Sequence, residues 1–187
     1  MKNYQITEWC HHFIEEHVKH GDVCIDATAG NGNDTEFLCR LVGDNGAVLA
    51  FDIQQAAIDA TQKRLSDTGL SHIGRVIKDS HANMTHYAAE SSISCIVFNF
   101  GYLPGGDHTI ATQATSSIAA IQAGLTLLVN GGLMSLCIYS GGDSGFAERD
   151  ALLAYLKTLD PRRYIVIVSE YFNRPNHPPI PAFILKL

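Results

Sequence analysis

The chain has 187 residues, of which 46% are hydrophobic and 17% charged, and its formal net charge is −6 at pH 7. This composition is typical of one globular domain with a substantial core, so we expect a single domain over residues 1–187. The acidic balance argues against broad binding to duplex nucleic acid, which needs many phosphate contacts, although a local basic patch stays compatible with it.

Cysteine and histidine spacing indicates neither a disulfide framework nor a metal site. The five cysteines include no C-x-x-C pair and most lie in apolar runs, which predicts reduced core residues in a cytoplasmic protein. The nine histidines show no ligand spacing, so we expect no bound metal. No stretch has the length of a membrane span and no signal-peptide pattern is present, so we expect no membrane partner.

Apolar periodicity predicts that the chain begins with a helix over Ile6–Val18, with Thr7 as its candidate N-cap. We expect this N-terminal helix, within residues 1–20, to pack on the domain. Its three histidines are interpreted as part of a solvated face: His11, His12 and His17.

The remaining elements alternate between strands and helices. The predicted strands are Val23–Asp26, Ala47–Phe51, Arg75–Lys78, Ile93–Phe98, Leu133–Tyr139, Tyr164–Phe172 and Ala182–Leu187. The predicted helices are Phe37–Val42, Gln54–Leu65, Gln113–Leu128 and Glu148–Leu159. Such alternation indicates right-handed βαβ units and a mostly parallel sheet of the α/β class.

The most informative stretch is V-C-I-D-A-T-A-G-N-G-N-D-T, in which a strand ends at Asp26 and a helix follows a small turn. Gly30 and Gly32 allow the backbone to approach a ligand, and the first helical turn offers free N–H groups. A dinucleotide motif would need a third glycine where Thr35 stands, and a pyrophosphate would be repelled by Asp26 and Asp34. S-adenosylmethionine (SAM), which is cationic and lacks phosphate, therefore fits better than NAD. A turn without a ligand is the alternative.

Ligands of parallel sheets bind beyond the carboxyl ends of the strands. Five polar residues end predicted strands and are expected to share that edge: Asp26, Asp52, Asp79, Asn99 and Tyr139. This convergence of residues distant in sequence is the strongest indication of a ligand site.

Three of the acidic residues have a binding role and a structural alternative. Asp52 can accept from both ribose hydroxyls or cap the next helix. Asp79, flanked by Ser80 and His81, can accept from an adenine amine or be a simple turn residue. Asp34 can bind an amino group, cap its own helix, or do both.

A loop with the sequence N-F-G-Y-L-P-G-G-D-H follows the fourth strand and carries Asn99, Tyr102, Asp107 and His108. It loosely resembles the N-P-P-Y loop of amino methyltransferases. Such a loop can stack on a planar base and direct the lone pair of an amine toward a methyl donor. Long turn-rich loops in this position are often functional, and a connection without chemistry is the alternative.

Five motifs together resemble a known family over nearly the whole chain. They are D-A-T-A-G-N-G-N-D-T, F-D-I-Q, N-F-G-Y-L-P-G-G-D, Y-S-G-G-D-S-G-F-A-E and F-N-R-P-N-H-P-P. The resemblance is to the small class I SAM-dependent methyltransferases first labelled rRNA methylases. The first two motifs specify only the superfamily, whereas the third is far more specific. Members of the family are associated with the tRNA wobble uridine, where they convert 5-aminomethyl-2-thiouridine to the methylaminomethyl form.

The resemblance implies a fold, a cofactor and a partner. The fold is an α/β class I methyltransferase (Rossmann-like) three-layer sandwich, whose mostly parallel seven-stranded sheet has an antiparallel last strand. The cofactor is SAM, and the partner is a tRNA anticodon stem-loop, with a homodimer as a possible assembly.

The resemblance also implies roles for individual residues. Asn99 and Tyr102 would accept from and orient the amine, and Asp107 or His108 would relay a proton. The implied cofactor-binding residues are Asp26, Ala27, Gly30, Asn31, Gly32, Asn33, Asp34, Thr35, Asp52, Gln54, Asp79, Ser80, His81 and Asn99. The family usually has G-H-x-x-G after the fifth strand, but here Gly142 stands in place of the histidine. A role of that histidine is then missing, or it passes to His108 or His81.

An RNA substrate would need an electropositive surface. The candidates are Lys157, Arg162, Arg163, Arg174 and His177, for which an ordinary solvated face is the alternative. Two other functions remain open at this stage. One is methylation of another RNA or of a small amine, and the other is a non-catalytic module that binds SAM or NAD.

Overall fold

A computed structural model describes residues 5–100, 114–140 and 142–187, with side chains from residue 146 onward in the last range. The strands are β1 Val23–Asp26, β2 Ala47–Asp52, β3 Gly74–Lys78, β4 Ile93–Phe100, β5 Leu128–Ile138, β6 Tyr164–Val168 and β7 Ile180–Lys186. The helices are α1 Ile6–Glu15, α2 Asn33–Val42, α3 Gln55–Asp67, α4 Ala114–Leu127 and α5 Gly142–Leu156. A short 3-10 helix covers His81–His86.

The seven strands form one sheet in the order β3-β2-β1-β4-β5-β7-β6. The pairings among β1 to β5 are parallel, and β7 is antiparallel to both β5 and β6. Strand order reverses direction between β1 and β4, which is the position where open α/β sheets bind ligands. The predicted α/β class with a mostly parallel seven-stranded sheet and an antiparallel last strand is confirmed.

The core consists of two apolar layers, one on each face of the sheet. Successive strand residues point to opposite faces. Ile96 and Phe98 therefore pack with residues of α4 and α5, whereas Cys95 and Val97 pack with α1 and α2. This division gives the three-layer sandwich. All five cysteines are buried free thiols, as predicted.

The first helix is shorter than predicted. It ends at Glu15 instead of Val18, because the chain leaves the helix before the turn into β1. Gln5 is the N-cap and its side chain makes no capping bond, so Thr7 is not the cap. None of the helices in the described ranges is both long enough and apolar enough to cross a membrane.

Several strand boundaries also differ from the predictions, and those of β4, β5 and β6 matter most for the site. β4 continues to Phe100, so that Asn99 lies within the strand and pairs with Cys137. β5 begins at Leu128, ahead of a register shift around Gly131, which has φ +81°. Gly131 and Gly132 there accommodate an irregularity in the strand. β6 ends at Val168, well before Phe172.

Two helical features have little signal in the sequence. The 3-10 helix after β3 is too short for a periodic pattern. α5 begins at Gly142, six residues before Glu148, because the stretch G-D-S-G contains poor helix formers that hide its first turn.

Candidate functional site

The turn between β1 and α2 depends on two residues in the left-handed region. Gly30 has φ +51° and Gly32 has φ +76°. A Cβ atom at Gly32 would lie 3.0 Å from Cα of Thr61, so this glycine also permits close packing on α3. The Thr61 hydroxyl donates to the carbonyl of Gly30 at 3.2 Å. The turn is therefore shaped by α3 as well as by its own backbone.

Arg64 of α3 holds the same turn through two further bonds. Its Nε donates to the carbonyl of Asn31 at 2.7 Å, and its Nη1 donates to Oε2 of Glu36 at 3.0 Å. Glu36 also accepts from Arg40. The hydrogen bond from Arg40, and to a smaller extent that from Arg64, lowers the pKa of Glu36. The carbonyl of Asn31 and the first turn of α2 are thereby fixed to one guanidinium.

Asp26 shapes the turn from within. Its carboxylate is fully buried, accepts from the Thr35 hydroxyl at 2.6 Å and accepts from the backbone N–H of Thr28 at 3.2 Å. Burial raises the pKa of Asp26 to about 7, and the charges of Asp34 and Asp52 contribute to the rise. Asp26 thus connects the end of β1 to the first turn of α2.

A three-residue network joins α1, α2 and β4. Asp34 Oδ1 lies 2.6 Å from Nε2 of His11, and Asp34 Oδ2 accepts from the Asn99 amide Nδ2 at 2.6 Å. The His11 ring stacks on Phe37 with ring centroids 3.7 Å apart. The backbone N–H of Asn99 donates to the Thr28 hydroxyl at 2.7 Å. Asn99 is therefore held by both its side chain and its backbone.

The solvated-face interpretation of His11 is wrong. Its side chain is only 22% exposed, whereas that of His12, one residue along, is 51% exposed. His11 borders the apolar stripe of α1 that contains the buried Cys10 and Ile14. That position was the available signal, because a polar group at the edge of a buried face needs a partner.

Asp52 lies at the carboxyl end of β2 and contacts the glycine turn. Its Oδ2 accepts from the N–H of Gly30 at 3.0 Å, and its Oδ1 accepts from the N–H of Gln54 at 2.9 Å. Each carboxylate oxygen can accept a second hydrogen bond. The residue therefore orders the start of α3 and keeps acceptor capacity for a diol.

The carboxylate of Asp79 binds the 3-10 segment that follows it. Asp79 Oδ1 accepts from the N–H of Ser80 at 2.7 Å and from Nδ2 of Asn83 at 2.8 Å, and Oδ2 accepts from the Tyr87 hydroxyl at 2.8 Å. These bonds, led by that from Asn83, lower the pKa of Asp79. The Ser80 hydroxyl accepts from the N–H of Ala82 at 3.2 Å and caps the segment. These contacts are the ones expected of a turn residue, which was the alternative to adenine binding for Asp79.

His81 lies beneath the same edge of the sheet. Its Nδ1 is 3.2 Å from the carbonyl of Ala27, and its ring meets Phe98 and Phe100 edge-on. Because a carbonyl only accepts, Nδ1 carries the proton and Nε2 keeps its lone pair. Burial lowers the pKa of His81, which favours the neutral ring.

The remaining positions singled out in the sequence are described more briefly. Asn33 is the first residue of α2, and the backbone N–H of Tyr139, just past β5, donates to the carbonyl of Phe100 at 3.1 Å. Gly142, which stands where the family usually has a histidine, begins α5. Tyr102, Asp107 and His108 lie outside the described residues. Within the described ranges no group of three His, Cys, Asp or Glu side chains could hold a metal ion.

The charge of the turn agrees with a cationic ligand. The negative charges of Asp34 and Asp52 both raise the pKa of Asp26, so three carboxyl groups lie around one short turn. Because Asp26 is fully buried and its pKa is raised, the repulsion of a pyrophosphate would come mainly from Asp34 and Asp52, whereas a sulfonium and an ammonium would be attracted to them. The residues present therefore fit SAM, with Asp52 available to the ribose and Asp34 available to the amino group.

The candidates for an electropositive surface are separated by the fold. β6 runs in the same direction as β5, because both are antiparallel to β7. Arg162 and Arg163 precede β6 and lie at the edge opposite Asn99, whereas Arg174 and His177 follow β6 and lie at the edge of the candidate site.

Comparisons with known proteins agree with this geometry. A family model described as "Putative rRNA methylase" matches residues 48–185. A chloroplastic tRNA (mnm(5)s(2)U34)-methyltransferase of Arabidopsis thaliana is 34% identical over 189 residues, which cover 96% of this chain and 69% of the relative. The crystal structure of an rRNA methylase, described as putative, from Clostridium thermocellum is 43% identical with a TM-score of 0.97, and each chain is covered completely.

A second solved structure carries a ligand. It is a methyltransferase from Streptococcus mutans, also described as putative, in complex with S-adenosylhomocysteine (SAH). It is 33% identical to this chain, has a TM-score of 0.89, and each chain is covered completely. The match to the family model extends over more than half of the chain and includes β3 to β6 and nearly all of β2. With its class I fold and its carboxylate-lined glycine turn, the chain belongs to the family of SAM-dependent methyltransferases described as "Putative rRNA methylase".

Proposed function

We propose that this methyltransferase transfers a methyl group from SAM to the primary amine of 5-aminomethyluridine, 2-thiolated or not, at the wobble position of tRNA. The similarity to the Arabidopsis tRNA methyltransferase over 96% of the chain supports the choice of acceptor. The observation that carries the chemistry is the fixed amide of Asn99 at the edge of the sheet, held by Asp34.

The orientation of Asn99 follows from its partner. A carboxylate only accepts, so the NH₂ group of Asn99 must face Asp34. The amide oxygen then faces away from Asp34 and can accept an N–H of the substrate amine. That contact would direct the amine lone pair without a covalent intermediate, which is what an in-line displacement requires.

The cofactor supplies an electrophilic methyl group on a sulfonium. In the proposed site Asp52 holds the ribose, and Asp34 holds the amino group while it also holds Asn99. Gly30 and Gly32 shape the turn around the ligand. The turn and the edge of β4 therefore bring donor and acceptor to one place.

The amine must be neutral to attack. For an alkylamine with a pKa of about 10.4, deprotonation at neutral pH costs roughly 4–5 kcal/mol. A nearby sulfonium and exclusion of water both lower that cost. We propose that Tyr102 orients the amine and that Asp107 or His108 takes its proton. Among the residues that the structure describes, His81 is the alternative proton acceptor, because its Nε2 keeps a lone pair.

A second candidate acceptor is another RNA, because the matching family model is described as an rRNA methylase. The test uses tRNA and ribosomal RNA from cells that lack this methylation, each incubated with the enzyme and labelled SAM. Nucleoside mass spectrometry should find one added methyl on wobble 5-aminomethyluridine. Label only on ribosomal RNA, or only on a free small amine, would refute the proposal. Asn99→Ala is the matched variant, which should lose the product while keeping SAH affinity.

A further inference from the structure

An open groove lies beside the candidate site, on the other side of α1. It has a volume of about 440 Å³ and is lined by Trp9 of α1 and by residues 169–174, which follow β6. Cys10 and His11, the next residues of α1, line a small cavity with Asp34 and Asn99. One helix therefore separates the groove from the methyl-transfer site, and the diameter of a helix is about 10 Å.

The groove combines aromatic surface with one exposed cation. Phe172 is 95% exposed, so its ring is almost entirely without packing partners. Arg174 is exposed, and its backbone N–H donates to the carbonyl of Tyr171 at 3.0 Å in a tight turn. The indole N–H of Trp9 is buried and has no hydrogen-bond partner among the described residues. Unpacked aromatic rings beside cations are what proteins use to stack unpaired bases.

The backbone that follows the groove is strained. Asn176 has φ +65° and His177 has φ +47°, a conformation that non-glycine residues adopt uncommonly. The His177 ring is held edge-on by Phe146 at a centroid distance of 5.3 Å, and Arg149 lies over Phe146 at 4.8 Å. Such conformations persist where the surroundings impose them, and they cluster at ligand sites.

We propose that this groove holds an unpaired nucleotide of the substrate RNA, adjacent to the nucleotide that is methylated. Its base stacks on Phe172, and its phosphate pairs with Arg174. The acidic Glu170 also lines the groove, which makes a polyphosphate a poorer fit than one base with one phosphate. The proposal rests on the proposed function for its ligand class, and it adds a binding surface outside the methyl-transfer site.

The test measures binding separately from catalysis. A fluorescent anticodon stem-loop RNA is titrated with the protein and followed by anisotropy. Phe172→Ala should weaken binding about tenfold, because base stacking on an aromatic ring is worth roughly 1–3 kcal/mol. Phe172→Trp should restore the affinity. Ile165→Ala is the matched control, because Ile165 is 45% exposed near the start of β6 and away from the groove.

The cation is tested by salt dependence. Log affinity falls as log salt rises, and Arg174→Ala should make this slope less steep by about 0.7, the value for one phosphate contact to a single strand. Arg162→Ala, at the opposite edge of the sheet, should leave the slope unchanged. SAH affinity should equal the wild-type value in every variant, which shows that each one is folded.

Wild-type RNA affinity in Phe172→Ala would overturn the proposal. Conversion of a dimer to a monomer by Phe172→Ala, without a change in RNA affinity, would also overturn it and would assign the groove to a second copy of the chain. Failure of the proposed acceptor is a separate result: RNA binding would still depend on Phe172, but no methyl would appear on wobble 5-aminomethyluridine.

Discussion

At the scale of single residues, the carboxylate of Asp34 contacts two residues that are distant from it in sequence. Asp34 holds His11 through one oxygen and Asn99 through the other, at 2.6 Å each. Among the described residues, the histidine therefore reaches the proposed acceptor site through Asp34. We propose that His11 is a positioning residue, because it need not touch either ligand.

We expect His11→Ala to lower kcat about tenfold, because hydrogen bonds to charged groups are worth roughly 1.5–3 kcal/mol. SAH affinity should stay close to the wild-type value. His11→Gln, which keeps a donor for Asp34, should recover most of the rate. His12→Ala is the matched control on the exposed side of the same helix. Steady-state kinetics with a wild-type kcat in His11→Ala would contradict the assignment.

The buried carboxyl of Asp26 predicts a pH effect on stability. Its pKa is about 7 in the folded protein against an ordinary value of 3.8, so the folded state binds this proton more tightly than the unfolded chain. The associated stabilisation is complete below about pH 4 and is lost as the pH rises to about 7. Relative to Asp26→Asn, the wild-type free energy of unfolding should fall by roughly 1.4 kcal/mol per pH unit within that window.

Urea unfolding at several pH values between about 5 and 7 measures this difference. The amide oxygen of the Asp26→Asn variant can still accept from the N–H of Thr28, so the turn should survive the substitution. Asp59→Asn, on the exposed face of α3, should follow the wild-type pH dependence. Parallel curves for wild type and Asp26→Asn would show that the carboxyl does not titrate in this range.

At the scale of elements, α3 positions the glycine turn, although neither of the α3 residues that bond to the turn has a proposed contact with the ligand. Thr61 donates to the carbonyl of Gly30, and Arg64 donates to that of Asn31. These two residues lie three apart and so project from one face of the helix. The geometry of the turn is therefore a property of the α2–α3 pair as much as of its own sequence.

We expect Arg64→Met to weaken SAH binding severalfold although Arg64 has no proposed contact with the ligand. The physical reason is the loss of the bond to Asn31 and of the pair with Glu36, which lets the turn relax. Lys63→Met is the matched control, because Lys63 pairs with Asp67 on the exposed side of the same helix, with 75% of its side chain exposed. Calorimetry would contradict the idea if both variants bound SAH as the wild type does.

At the scale of the whole molecule, the sheet order places the site. β1 lies between β2 and β4, so the ends of β1, β2 and β4 bring Asp26, Asp52 and Asn99 together across more than seventy residues of sequence. Ligand binding at that junction contacts several elements at once. It should therefore stabilise the entire fold.

We expect SAH at about 100 times its Kd to add roughly 2.7 kcal/mol to the stability. For a chain of this size that corresponds to a rise in Tm of roughly 5–10 °C. NAD at the same concentration should cause no rise, because its pyrophosphate would meet the negative charges of Asp34 and Asp52. Asp52→Ala should reduce the SAH shift. A thermal-shift experiment in which NAD stabilises as well as SAH would refute the charge argument.

Much of this protein can be predicted from its sequence. Local patterns act over a few residues, so alternating apolar runs and the G-N-G turn sufficed for the order of the elements and the carboxylates at the strand ends. The negative charge of the turn was likewise readable, because Asp26 and Asp34 are close in sequence. The same turn favoured SAM over NAD, and the family resemblance added the antiparallel last strand, which no local pattern specifies.

The tertiary structure decided which polar groups meet. His11 is 23 residues from Asp34, and Asn99 is 65 residues from it, so neither bond has a local signal. The same holds for Arg64 on the carbonyl of Asn31, and for the separation of Arg174 from Arg162 by the length of β6. Hydrogen bonds require specific distances and angles, and those are set by how helices pack on a sheet, which residue spacing alone does not determine.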